Sequence, residues 1–130
     1  MKFLDADDLA IIHTQIVDAS GGSQGIRDIG RLESAVASLR QEVFGEQLYP
    51  TIFDKAAVLL RAVIDDHPFV DGNKRTGMMS ALVFLNLNAY DTSALTDTEL
   101  EDFAVQVAVE HLDIAVIAAW LRAHSVRPKD

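Results

Sequence analysis

A chain of 130 residues, 49% of them hydrophobic, is long enough to fold as one domain, 1–130, around a substantial core. Twenty acidic against eleven basic residues give a formal net charge of −9, which argues against a broad basic face and against direct nucleic-acid binding by this chain alone. The lack of cysteine excludes disulfides and thiolate metal sites and suits a cytoplasmic protein, and no apolar run reads as a signal peptide or membrane span.

In chain order, Asp5 is placed to cap a first helix with Leu9, Ile12, Ile16 and Ala19 on one face, ended by Gly21-Gly22. His13 lies one position from that stripe and reads as a structural or surface residue. Gly21 to Gly30 is a glycine-rich connection, long for a link between helices. Arg27 and Asp28 within it either reach a functional site or pair with each other. Arg31 to Arg40 reads as a short helix. Gln41 to Pro50 is a second connection, whose Phe44 and Tyr49 are expected to anchor it to the core, with a possible short strand near Phe44.

Thr51 is placed to cap a third helix, whose Ile52, Phe53, Ala56, Leu60, Val63 and Ile64 form a wide apolar face. The helix from about Asn73 to Asn88 is apolar on nearly every side and is expected to be the buried central one, with Met78 and Met79 as core fillers. Thr96 and Glu99 have the form of a capping box for a fifth helix, and Asp113 is placed to cap a sixth. His111 and His124 read as structural or exposed, and the tail from Ser125 to Asp130 as frayed. The fold class is all-α, with about six helices around one buried central helix.

Chemistry concentrates in His67-Pro68-Phe69-Val70-Asp71-Gly72-Asn73-Lys74-Arg75-Thr76-Gly77. Pro68 disfavours α backbone at His67, so a helix arriving there should stop. The stretch then reads as a loop running into a helix start, where unpaired N–H groups and the positive end of the dipole attract anions. Gly72 permits close backbone approach, and Lys74 and Arg75 add positive charge. Asp71 would repel a bare phosphate but fits one bridged by a divalent cation. His67 brings an imidazole, a side chain suited to take a proton from a hydroxyl. Asp65 and Asp66 either raise its pKa or point into solvent. The pattern points to phosphoryl or nucleotidyl transfer.

This stretch resembles the signature loop of the Fic-domain superfamily, specifically its Doc (death-on-curing) branch of toxins from toxin–antitoxin pairs. Gly25-Ile26-Arg27-Asp28, Leu32-Glu33-Ser34-Ala35, Phe44-Gly45 and Tyr49-Pro50 extend the likeness along nearly the whole chain. The resemblance implies His67 as catalytic base, Asp71 as ligand of Mg2+, and Phe69 as the structural anchor of the loop. It implies Gly72, Asn73, Lys74 and Arg75 as the lining of the ATP phosphates. It also implies a substrate, a threonine of elongation factor Tu whose phosphorylation halts translation, and an antitoxin that docks through a flexible segment.

Adenylyl-transferring relatives usually carry Gly-Asn-Gly-Arg and a second arginine three residues later. Lys74 and Met78 stand at those places here, which favours kinase over adenylyltransferase. The inhibitory pattern Ser/Thr-x-x-x-Glu-Gly/Asn is not met, since Ser38 to Glu42 is followed by Val43. From another class of function, a non-catalytic module that binds an antitoxin and assists repression is the remaining alternative.

Overall fold

The computed structural model describes residues 1–128; Lys129 and Asp130, the end of the tail expected to fray, lie outside them. In order come α1 (Ala6–Ser20), α2 (Ile29–Ala37), a 3-10 turn (Ser38–Arg40), β1 (Glu42–Val43), β2 (Glu46–Gln47), α3 (Ile52–Asp66), α4 (Asn73–Leu87), α5 (Asp97–Glu110) and α6 (Ile114–Ala123). The all-α reading holds: the two strands form only a small antiparallel hairpin, with Val43 opposite Glu46.

Local chemistry sets most helix starts. Asp5 with Asp8, Thr51 with Asp54 and Thr96 with Glu99 form reciprocal capping boxes, each satisfying an amide that has no partner within its helix. Asp28 caps α2, which therefore begins at Ile29 rather than Arg31. Asp113 occupies the cap position of α6, but its side chain accepts no cap hydrogen bond, contrary to expectation.

The centre is shared by two helices rather than held by one. α4 packs chiefly on α3 and also meets α1 and α5, while α3 covers α6 and α2 with its other faces. Val63, Phe84, Leu85, Leu60 and Leu121 belong to the one cluster of buried side chains they build. Gly77 allows the close contact: a Cβ there would lie 3.0 Å from the Leu60 carbonyl and 3.1 Å from Ile64. Thr76 and Ser80, both fully buried on α4, have hydroxyls without a hydrogen-bond partner among the described residues. Met78 is buried as expected, but Met79 is 39% exposed and does not fill the core.

Phe44 is wholly exposed, so it does not anchor its connection. It sits with Gly45 at the tip of the hairpin, both at positive φ (51° and 81°), which turns its side chain away from the body. Tyr49 does pack against the core. The hairpin is held instead by Lys55, buried on α3, whose Nζ donates to Gln47 Oε1 at 2.7 Å and to the Tyr49 carbonyl. Burial pushes the Lys55 ammonium pKa down from its ordinary value. The tail is also tied where frayed ends were expected: Asp91 and Val126 exchange backbone hydrogen bonds at 2.7 and 2.9 Å.

Candidate active site

α3 ends at Asp66, and His67 adopts left-handed backbone (φ 49°, ψ 59°). Pro68 does end the helix, but through a left-handed residue rather than an extended one. Such a conformation costs a non-glycine residue about 1–2 kcal/mol. It is braced from α2 and the connection before it. Arg27 Nε donates to the His67 carbonyl at 2.8 Å, and Arg27 Nη2 and Arg31 Nη1 donate to the Asp66 carbonyl at 3.0 and 2.8 Å. Cations here also suit the negative end of the α3 dipole. Arg27 therefore grips the backbone under His67, whereas Asp28 caps α2 and pairs with Arg31 at 3.4 Å. The two do not pair with each other. Arg61 pairs with Asp65, also at 3.4 Å.

The His67–Gly72 loop is stitched to the connection after α1. Arg27 and Asp28 donate their backbone N–H groups to the Pro68 carbonyl, at 2.8 and 3.0 Å, and Val70 donates to Gly25 at 3.0 Å. Beneath it Phe69 is 1% exposed. The Asn73 amide closes on Phe69 from both sides, donating to its carbonyl and accepting from its N–H, each at 3.0 Å. The Asn73 side chain is thus buried in the loop's own bonding, so a phosphate-lining role for this residue would fall to its backbone N–H.

His13 is the residue whose part sequence reasoning missed. It is 2% exposed, its ring stacks on Phe69 with centroids 4.0 Å apart and planes within 5°, and its Nε2 lies 2.7 Å from the Asp71 carbonyl. The signal was present: His13 stands one turn from Leu9 and one from Val17, both buried.

Asp71 is exposed at the surface of this support. Its Oδ1 accepts from the Gly72 N–H at 2.9 Å and its Oδ2 from the Ser23 N–H at 3.3 Å. Gly22, at φ 106°, makes room: a Cβ there would come within 2.8 Å of Oδ2. A carboxylate has about four acceptor positions, so two remain for a cation. Among the described residues no group of three or more His, Cys, Asp or Glu side chains gathers to hold a metal. The chain thus offers one carboxylate, a donor set that fits Mg2+ bound jointly by protein and substrate phosphates.

The start of α4 carries donors that suit an anion. Gly72 takes the cap position in left-handed backbone (φ 74°), and no side chain caps the helix, unlike α1, α2, α3 and α5. Lys74 and Arg75 are exposed beside those amides. Arg75 also borders a cleft of about 390 Å3 between α1, α4 and α5, lined by Ile16, Met78, Met79 and Leu100. The His67 side chain is exposed and, among the described residues, makes no hydrogen bond to protein. A proton acceptor, one free-faced carboxylate and an uncapped cationic helix start thus share one short segment. His111 ends α5 in left-handed backbone and is exposed, whereas His124 donates through Nδ1 to the Trp120 carbonyl at 2.7 Å and is structural.

The Fic/DOC family profile matches residues 3–85, which contain every residue of this loop and its support. The chain belongs to the Fic/Doc family. This Fic/Doc chain is 39% identical over 121 residues to "Toxin Doc" of Mycolicibacterium smegmatis, covering 92% of its own length and 91% of the relative's. It is 30% identical over 122 residues to "Protein kinase doc" of Escherichia phage P1, covering 94% of each. Among the described residues no helix is long and apolar enough to cross a membrane.

Proposed function

We propose that this chain is the toxin of a toxin–antitoxin pair and a protein kinase, moving the γ-phosphate of ATP to a threonine of elongation factor Tu in the cytoplasm. The observation that carries the reading is the juxtaposition at the α3–α4 junction: His67 and Asp71 at the uncapped start of α4, beside Lys74 and Arg75. The names of the two relatives, one a toxin and one a protein kinase, support it.

In this mechanism the substrate hydroxyl gives its proton to the exposed imidazole of His67 as its oxygen bonds to the γ-phosphorus. The Asn73, Lys74 and Arg75 amides, with the two cations, carry the phosphate charge as the bond to the β-phosphate opens. Bound Mg2+ supplies neutralisation of phosphate charge, and Asp71 is the side chain that would hold it. The hairpin presents Phe44 and unpaired strand edges on which an extended segment of a protein substrate can lie. The cleft between α1, α4 and α5 suits the flexible segment of an antitoxin, since a helix laid there covers Arg75.

The test is paired label transfer from ATP marked at the γ- or the α-phosphate to elongation factor Tu, with His67→Ala as control. Label only from the γ-position, lost in His67→Ala, is expected. Label from the α-position would make the chain an adenylyltransferase, and no transfer alongside tight antitoxin binding would make it a non-catalytic module.

A further inference from the structure

The carboxylate of Asp71 is aimed by a peptide group rather than by side chains of its own loop. The Asp71–Gly72 peptide unit is held at both ends. Its N–H donates to Asp71 Oδ1 at 2.9 Å, and its carbonyl lies 2.7 Å from His13 Nε2. Since a carbonyl only accepts, Nε2 must carry the proton and His13 must be the donor. Rotation of that peptide would break the His13 bond and swing Oδ1 away together, because carboxylate and peptide are joined through one short hydrogen-bonded ring.

The Ser23 N–H on Asp71 Oδ2, at 3.3 Å, resists that rotation only from the carboxylate end. Gly72, at φ 74°, has the backbone freedom to permit it, and Asp71 and Gly72 stand at the surface end of the loop. His13 supplies the restraint from α1, a helix fixed by the buried Leu9, Ile12 and Val17. The imidazole is itself locked, 2% exposed and stacked flat on Phe69. A phenyl ring would keep that stack, so the nitrogen has a separate use, and its one protein partner among the described residues is the Asp71 carbonyl.

We propose that His13 is a positioning residue that orients the cation-binding carboxylate of Asp71 through the Asp71–Gly72 peptide. The proposal rests on the reading of Asp71 as the metal-holding side chain. His13 touches neither metal nor substrate, and acts as outer partners of metal ligands do. Removing such partners typically weakens affinity about 10–100-fold.

The probe is Mn2+, whose affinity for the full chain with a non-hydrolysable ATP analogue is read by electron paramagnetic resonance, alongside thermal unfolding. His13→Phe keeps the stack and loses the donor, while His13→Gln places an amide N–H where Nε2 stood. The expected result is Mn2+ affinity at least tenfold weaker in folded His13→Phe, most of it regained in His13→Gln, and none detectable in Asp71→Asn. Affinity equal to wild type in folded His13→Phe, with Asp71→Asn silent, would overturn this proposal alone. Undiminished affinity in Asp71→Asn would overturn the metal reading and this proposal with it. A measurement on the unaltered chain guards against a variant that does not fold. Nitrogen-15 spectra should show His13 protonated at Nε2 and shifting when Mn2+ is replaced by diamagnetic Mg2+ titrated with the analogue. The Nδ1 tautomer would overturn the proposal.

Discussion

Replacing Arg27 with alanine removes the grip on His67 without touching the imidazole. Two hydrogen bonds from a charged donor are lost, at 2.8 Å to the His67 carbonyl and 3.0 Å to that of Asp66. Charged hydrogen bonds contribute about 1.5–3 kcal/mol each when shielded. Arg27 is exposed and water replaces it readily, so about 1–2 kcal/mol for the pair is the reasonable figure. Arg31 still donates to Asp66. The loss is comparable to the roughly 1–2 kcal/mol that left-handed backbone costs at His67. Loop geometries that relieve the strain should therefore compete with the native one, and each 1.4 kcal/mol shifts that balance about tenfold. Arg27→Ala should lower the melting temperature by about 3–10 °C for a chain of this size. Phosphate transfer at 15 °C, where the variant stays folded, should fall about 5–30-fold on the same arithmetic. Arg27→Lys, which cannot span both carbonyls, should lie between. A folded Arg27→Ala transferring phosphate at the wild-type rate would refute the reasoning.

Three further substitutions test the fold. Gly77→Ala puts a methyl 3.0 Å from the Leu60 carbonyl, and overpacking of this kind costs about 1–3 kcal/mol; urea unfolding should show that loss, and an unchanged midpoint would mean the α3–α4 contact is slack. Ser80→Ala removes a buried hydroxyl without a partner and should leave the urea midpoint unchanged or raised; a loss above about 1 kcal/mol would mean the hydroxyl is satisfied. Glu99 has its pKa held below 4.5 by the Thr96 backbone and hydroxyl. Its folded value being the lower one, the stability it adds is present above pH 4.5 and is lost as pH falls through that folded value. Glu99→Gln should therefore flatten the pH dependence of the melting temperature on the acid side of 4.5, and an unaltered acid limb would exclude the capping box as its source.

Helix starts were legible because their signals are local. Asp5, Thr51 and Thr96 each close a bond three residues on, within one turn of the residues that reveal it. The chemistry of His67 to Arg75 was legible for a similar reason, since a ten-residue stretch holds all its reactive groups. What the sequence hid is long-range or directional. Arg27 reaches carbonyls about forty residues away, and carbonyls leave no mark in a sequence. Asn73 stands among phosphate-facing candidates, yet its amide turns inward on Phe69. Phe44 belongs to a residue type that is usually buried, but consecutive positive φ angles put it at a turn tip.

The family profile ends at residue 85, whereas the back of α3 is covered by α6, which begins at Ile114. Every side chain of the candidate site thus leaves the ribosome before the helix that fixes its platform. Until α6 docks, α3 lacks one flank, while its contacts with α4 and the Arg27 and Arg31 bonds at its end can already form. The candidate site therefore gains the full packing of its platform only once α6 has been made and has docked on α3.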